Sequence, residues 1–78
     1  MIKDLTLDEI KPGQKAKILK INSDYELKRR LLDLGILKDS EIKCEFKSPF
    51  NDPVAYFIKG TTIALRVEDA KNIYVELI

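Results

Sequence analysis

Apolar and charged residues alternate without a break from Glu41 to Lys47, with Ile42, Cys44 and Phe46 in one phase and Glu41, Lys43, Glu45 and Lys47 in the other. A period of two puts each set on its own face of a strand, so this segment predicts a half-buried strand with Ile42, Cys44 and Phe46 inward. The turn-rich Ser48 to Pro53 follows, then a returning segment from Val54 to Lys59, the turn pair Gly60-Thr61, and a further segment from Thr62 to Arg66. Three strands with hairpin connections predict an antiparallel meander. Ile73, Val75 and Leu77 share one phase of a last strand, and Val67 to Asn72 before it has room for one helical turn.

The first half is less regular. Leu5 to Ile10 runs into Pro12-Gly13 and predicts at most one helical turn, packed by Leu5, Leu7 and Ile10. In Gln14 to Ile21 the alternation breaks: Ala16 and Ile18 lie in one phase, Leu19 and Ile21 in the other. A bulge midway reconciles them. Ser23 and Glu26 have capping-box spacing, in which hydroxyl and carboxylate satisfy free backbone donors at a helix start. The helix expected over Asp24 to Leu34 turns Leu27, Leu31 and Leu34 into one core-facing stripe with Leu32 alongside. It stops at Gly35, which suits a left-handed backbone.

About five short strands would leave edges open to aggregation, and closure into a small barrel removes them. The 78 residues make a single domain, 1–78, of a size that buries only about 60% of its unfolded surface. Apolar residues at 45%, charged residues at 35% and a net charge of +1 describe a soluble globular domain. The run Val54 to Ile58 is far too short to span a membrane, for which about 20 residues are needed, so no direct membrane insertion is expected. Met1-Ile2-Lys3-Asp4 opens no export signal, and a single cysteine excludes an internal disulfide. Both point to a cytoplasmic location.

The side-chain inventory argues against an enzyme. The chain has no histidine, hence no His-assisted nucleophile, and no glycine-rich phosphate loop. No cofactor is expected. Divalent iron and zinc favour imidazole and thiolate, of which one thiol is present, so no metal site is expected either. Cys44, in the inward phase, reads as a buried inert thiol. A carboxylate site around Glu68 and Asp69 is the remaining metal alternative. Lys28-Arg29-Arg30 is the densest basic cluster, but the near-neutral chain lacks the basic footprint of phosphate binding, so no nucleic-acid partner is expected. Arg29 and Arg30 read as a solvated helix face or as a protein contact.

One loop stands apart. Pro49 and Pro53 stiffen Pro49-Phe50-Asn51-Asp52-Pro53, so Phe50 has little entropy to lose on binding. Phe50 either folds back to cap the barrel end or meets a partner. Arg66 either pairs with an acidic neighbour to fix the turn before Glu68-Asp69 or faces the same partner.

Three blocks in order, Arg30-Leu31-Leu32-Asp33-Leu34-Gly35-Ile36, Pro49-Phe50-Asn51-Asp52-Pro53 and Gly60-Thr61-Thr62-Ile63-Ala64-Leu65-Arg66, followed by an Ala before the last apolar strand, give the chain its likeness. From about Leu5 to Val75 it resembles the FeoA family, the small cytosolic accessory proteins of the bacterial ferrous iron transporter FeoB. The resemblance implies an SH3-like β-barrel with an inserted helix at about Asp24 to Leu34. It also implies a module that regulates or supports Fe2+ uptake by binding FeoB on its cytoplasmic side. The partner-binding candidates are then Arg29, Arg30, Pro49, Phe50, Asp52 and Arg66, with homo-oligomerisation left open. Two alternatives are a regulatory SH3-like domain related to metal-dependent repressors and a nucleic-acid-binding small barrel. The sequence departs from the family pattern twice. Leu37-Lys38-Asp39-Ser40 stands where a Pro-Gly pair is usual, and Asn51 where Gly is common. Asn and Asp both tolerate a left-handed backbone, so both turns are expected to survive.

Overall fold

The computed structural model describes residues 5–22 and 24–78. Six strands form one antiparallel sheet: β1 (Leu5–Thr6), β2 (Lys15–Ile21), β3 (Glu41–Lys47), β4 (Val54–Ile58), β5 (Thr61–Leu65) and β6 (Ile73–Leu77). Their spatial order is β1-β6-β2-β3-β4-β5. The expected meander is β3-β4-β5, and β6 returns to lie between β1 and β2. Helix α1 (Tyr25–Asp33) is inserted between β2 and β3, and α2 (Val67–Ala70) between β5 and β6. The segment expected to hold at most one helical turn has it as a 3-10 helix over Leu7–Glu9, and the two-residue β1 before it, paired with β6 through Leu5 and Thr6, was not expected.

All these elements contribute to one core. Leu7, Ile18, Leu31, Ile36, Ile42, Tyr56 and Ile73 are among its fully buried members. Burying Tyr56 requires a partner for its hydroxyl, which donates to the Leu7 carbonyl at 3.3 Å and so ties β4 to the 3-10 helix. No buried side-chain oxygen or nitrogen lacks a partner among the described residues.

Two bulges set which side chains reach that core. The register of β2 against β6 shifts between Ile18 and Lys20, so Leu19 is an extra residue without a cross-strand partner. This is the break expected from the sequence: Ala16 and Ile18 are buried, Ile21 packs against the core, and Leu19 turns outward. A second shift, between Cys44 and Phe46 against β4, has no trace in the alternation of β3. Glu45 is the extra residue there, the phase slips, and Phe46 is 60% exposed instead of buried. The helix stripe is also narrower than expected. Leu31 is buried and Leu27 partly so, whereas Leu32 and Leu34 are 56% and 43% exposed.

The end of α1 explains that difference. The Gly35 N–H donates to the Leu32 carbonyl and the Ile36 N–H to the Leu31 carbonyl, both at 2.9 Å, with Gly35 at φ 85°. This is a Schellman stop. It turns the chain so that Ile36 enters the core while Leu34 stays partly exposed. At the other end the cap is Asp24, whose carboxylate accepts from the Leu27 N–H at 2.9 Å. The expected partner in a capping box, Ser23, lies outside the described residues. Leu77, expected inward, is 47% exposed at the end of β6.

Both departures from the family pattern keep their turns. Asp39 adopts φ 70° while the Ser40 N–H donates to the Leu37 carbonyl, and Asn51 adopts φ 62°. Lys59 and Gly60 both have positive φ, as a two-residue hairpin between twisted strands requires, and they join Ile58 to its cross-strand partner Thr61.

Candidate functional site

The β3-β4 loop is built from its own hydrogen bonds. The Asn51 N–H donates to the Ser48 carbonyl at 2.8 Å, the Asp52 N–H to the Ser48 hydroxyl at 2.9 Å, and the Ser48 N–H to the Pro53 carbonyl at 3.3 Å. The Asp52-Pro53 peptide is cis. Phe50 sits at the tip and is 90% exposed, so it does not fold back to cap the barrel end. A ring held in water by a hydrogen-bonded loop has little left to order if another surface covers it.

Asp52 does a second job. Its carboxylate accepts from the Val67 N–H at 3.1 Å and so satisfies a free donor at the start of α2. The turn before Glu68-Asp69 is thus fixed from the loop, not by Arg66. The Arg66 carbonyl accepts from the Asp69 and Ala70 N–H groups at 3.0 Å, while its side chain is exposed and has no ion-pair partner among the described residues. Asp52, Pro53, Ala64 and Arg66 line a shallow cleft of about 350 Å³. Asp69 pairs across to α1, meeting the Arg30 guanidinium at 2.7 Å. With the Arg30 side chain 64% exposed, this bridge is worth about 1 kcal/mol or less and is weakened by salt.

Five of the six candidates therefore connect. Pro49, Phe50 and Asp52 share the loop, Asp52 and Arg66 meet at the head of α2, and α2 reaches Arg30. Arg29 points differently: it is exposed and donates at 3.5 Å to the Tyr25 hydroxyl one helical turn away, at the limit of a hydrogen bond. The sequence reading did not separate these two arginines, since the Asp69 partner of Arg30 is 39 residues distant. It also missed an apolar groove beside α1, whose one sequence signal was the out-of-phase Leu19.

The remaining reactive groups are inside. Cys44 is buried and its thiol pKa is raised by desolvation, against a smaller opposing effect of Lys47. Desolvation also raises the Tyr56 phenol, reinforced by Cys44 and Asp8. Both groups are neutral acids whose pKa is higher folded than unfolded, so the stability they contribute is fully present below the unfolded pKa values and lost as pH rises. Urea midpoints should hold up to about pH 9 and fall beyond it, as the unfolded thiol and then the unfolded phenol ionise. Cys44→Ala should flatten the first part of that fall. A midpoint unchanged from pH 8 to pH 11 would contradict the burial of both groups. No group of three or more metal-ligating side chains gathers among the described residues, and Asp69 of the carboxylate alternative is engaged by Arg30. No helix among them is long and apolar enough to cross a membrane.

Comparison with known proteins bears on this geometry. The FeoA domain model matches residues 5–77. The chain is 39% identical over 74 residues to a putative Fe(2+) transport protein A of Campylobacter jejuni, covering 95% of this chain and all of that protein. It is 34% identical over 74 residues to a Porphyromonas gingivalis protein that fuses Fe(2+) transport protein A to the Fe(2+) transporter FeoB, of which it covers 9%. Among solved structures, a FeoA-like protein of Clostridium acetobutylicum superposes with TM-score 0.89 at 35% identity, over all of this chain and 91% of that one. A zinc-complexed FeoA of Stenotrophomonas maltophilia, described as a prokaryotic SH3 domain protein, gives TM-score 0.80 at 28% identity over 92% of this chain and 89% of its own. The expected SH3-like architecture is thereby shown. A manganese-dependent transcriptional repressor, at TM-score 0.89 and 21% identity over all of this chain and 38% of its own, shares the fold alone.

Proposed function

This chain belongs to the FeoA family, which is associated with ferrous iron transport, and from that premise we propose that it is a cytosolic accessory protein that acts by binding the transporter FeoB on its cytoplasmic side. The observation that carries this reading is the relative in which the same domain is fused to FeoB. Fusion fixes a high effective concentration of one module beside the other, which is useful where the two work in contact. The exposed Phe50 on a stiff loop, and the exposed Arg66 in a cleft with Asp52 and Pro53 of that loop, supply the kind of aromatic and arginine anchors that interfaces use. Contact, not catalysis, is the mode of action proposed: the polar side chains serve caps, turns and surface pairs.

The direct test is co-purification. Tagged protein should retain FeoB from detergent-solubilised membranes of the same cell at low salt, and failure to retain it there would remove the reading. A regulator should also not carry the iron. Anaerobic titration of the isolated protein with Fe2+ is expected to show only weak, unsaturating binding of the kind exposed carboxylates give. Stoichiometric submicromolar binding would instead make the chain a carrier.

A further inference from the structure

The outward slip of Leu19 at the β2 bulge has a counterpart on α1. Leu19 meets Leu32 of the helix and Leu37 just past its stop along a shallow groove of about 520 Å³, floored by Ile21 and Ile36. The three leucines are 38–56% exposed, although the core beside them is closed. Around them stand Lys20, Lys28 and Lys38, all exposed, none with a carboxylate partner among the described residues, and no acidic side chain lines the groove. Lys28 and Leu32 lie one helical turn apart, so charge and apolar wall belong to one face of α1. Three lysines about an aliphatic trough, without a carboxylate partner among the described residues and in a chain whose net charge is only +1, form a local concentration of one sign.

We propose that this groove is a docking site for an acidic amphipathic segment of a partner protein. Leucine-type side chains of the segment fill the trough, and its carboxylates meet Lys20, Lys28 and Lys38. A groove with lysines among its apolar walls fits a ridge of side chains that carries both leucines and carboxylates. A membrane surface would need the apolar groups to project beyond the charges, whereas here they line a groove between strand and helix with the lysines among them. Apolar contact supplies the affinity and the lysines exclude basic segments. The site stands independently of whether the partner is the transporter.

The test uses the intact 15N-labelled chain and two helical 14-residue probes, one of Leu and Glu in amphipathic order and one with Lys in place of Glu. The acidic peptide should shift the amides of Leu19, Lys20, Lys28, Leu32, Leu37 and Lys38 with a dissociation constant below about 1 mM, while the basic peptide leaves them unmoved. Leu32→Ser should weaken binding about tenfold, and Lys28→Glu with Lys38→Glu at least as much at low salt. These residues are exposed, so an unchanged spectrum of each free variant checks the fold. No shift up to millimolar peptide, shifts centred elsewhere, or equal binding of both peptides overturns the proposal. So does groove broadening by anionic vesicles in the absence of any effect from the acidic peptide, which would make the surface lipid-directed.

Discussion

Leu31→Ala is expected to cost about 2–5 kcal/mol, the range for deleting a buried leucine side chain without collapse of the cavity. Leu31 is fully buried, and its carbonyl accepts the Ile36 N–H that closes the helix stop. Truncation therefore leaves a void in the seam between α1 and the sheet, beside the chain reversal that brings Ile36 into the core. A domain of this size has about 5–15 kcal/mol in all. The midpoint of thermal unfolding should fall by roughly 10 °C or more. Leu34→Ala, at a position nearly half exposed on the same helix, should cost much less. The pair of melts is the check. If Leu31→Ala melts within a degree or two of the parent, or if Leu34→Ala is the more damaging, α1 does not pack as described.

Phe50→Ala should do the opposite, leaving the melt within about 0.5 kcal/mol of the parent while weakening FeoB binding about 30-fold. The asymmetry follows from position. A ring that is 90% exposed loses almost no contact in the free protein, and the loop beneath it is held by Ser48 and Asp52 rather than by the ring. Arg29→Glu should also spare the fold, because among the described residues its guanidinium makes only a long hydrogen bond to Tyr25. Its effect on binding should shrink as salt screens exposed charge. Arg30 makes a poorer probe, since reversing it also breaks the bridge to Asp69. Circular dichroism and a melt come first, then titration against solubilised FeoB. Should Phe50→Ala and Arg29→Glu both bind like the parent, the contact lies elsewhere, and the lysine-rimmed groove is the next surface to vary.

Much of this architecture is local chemistry and was legible in the chain. The alternation from Glu41, the Pro and Gly punctuation and the leucine spacing before Gly35 specify the meander, the inserted helix and its stop. Each depends on backbone preferences within a few residues. The broken phase of Lys15–Ile21 announced its bulge, and Asp39 and Asn51 hold their turns because their side chains tolerate the left-handed backbone. The lack of histidine, which rules out a His-assisted nucleophile within the chain, is likewise read from sequence.

Tertiary structure decided where side chains depart from the phase that their spacing gives them. The β3 bulge at Glu45 is a property of its pairing with β4, so a flawless alternation still put Phe46 on the wrong side. Leu32 and Leu34 share the helical stripe by spacing, but whether a stripe is covered depends on where the chain goes after Gly35, and here it is Ile36 that enters the core. Asp52 capping Val67 and Arg30 meeting Asp69 join residues 15 and 39 positions apart. So does the groove, which needs Leu19 and Leu32 brought together by the packing of α1 on β2. Periodicity carries information over one or two turns of chain. Long-range hydrogen bonds, register shifts and the exposure of a loop tip are settled by the energy of the whole core, to which no single window of sequence has access.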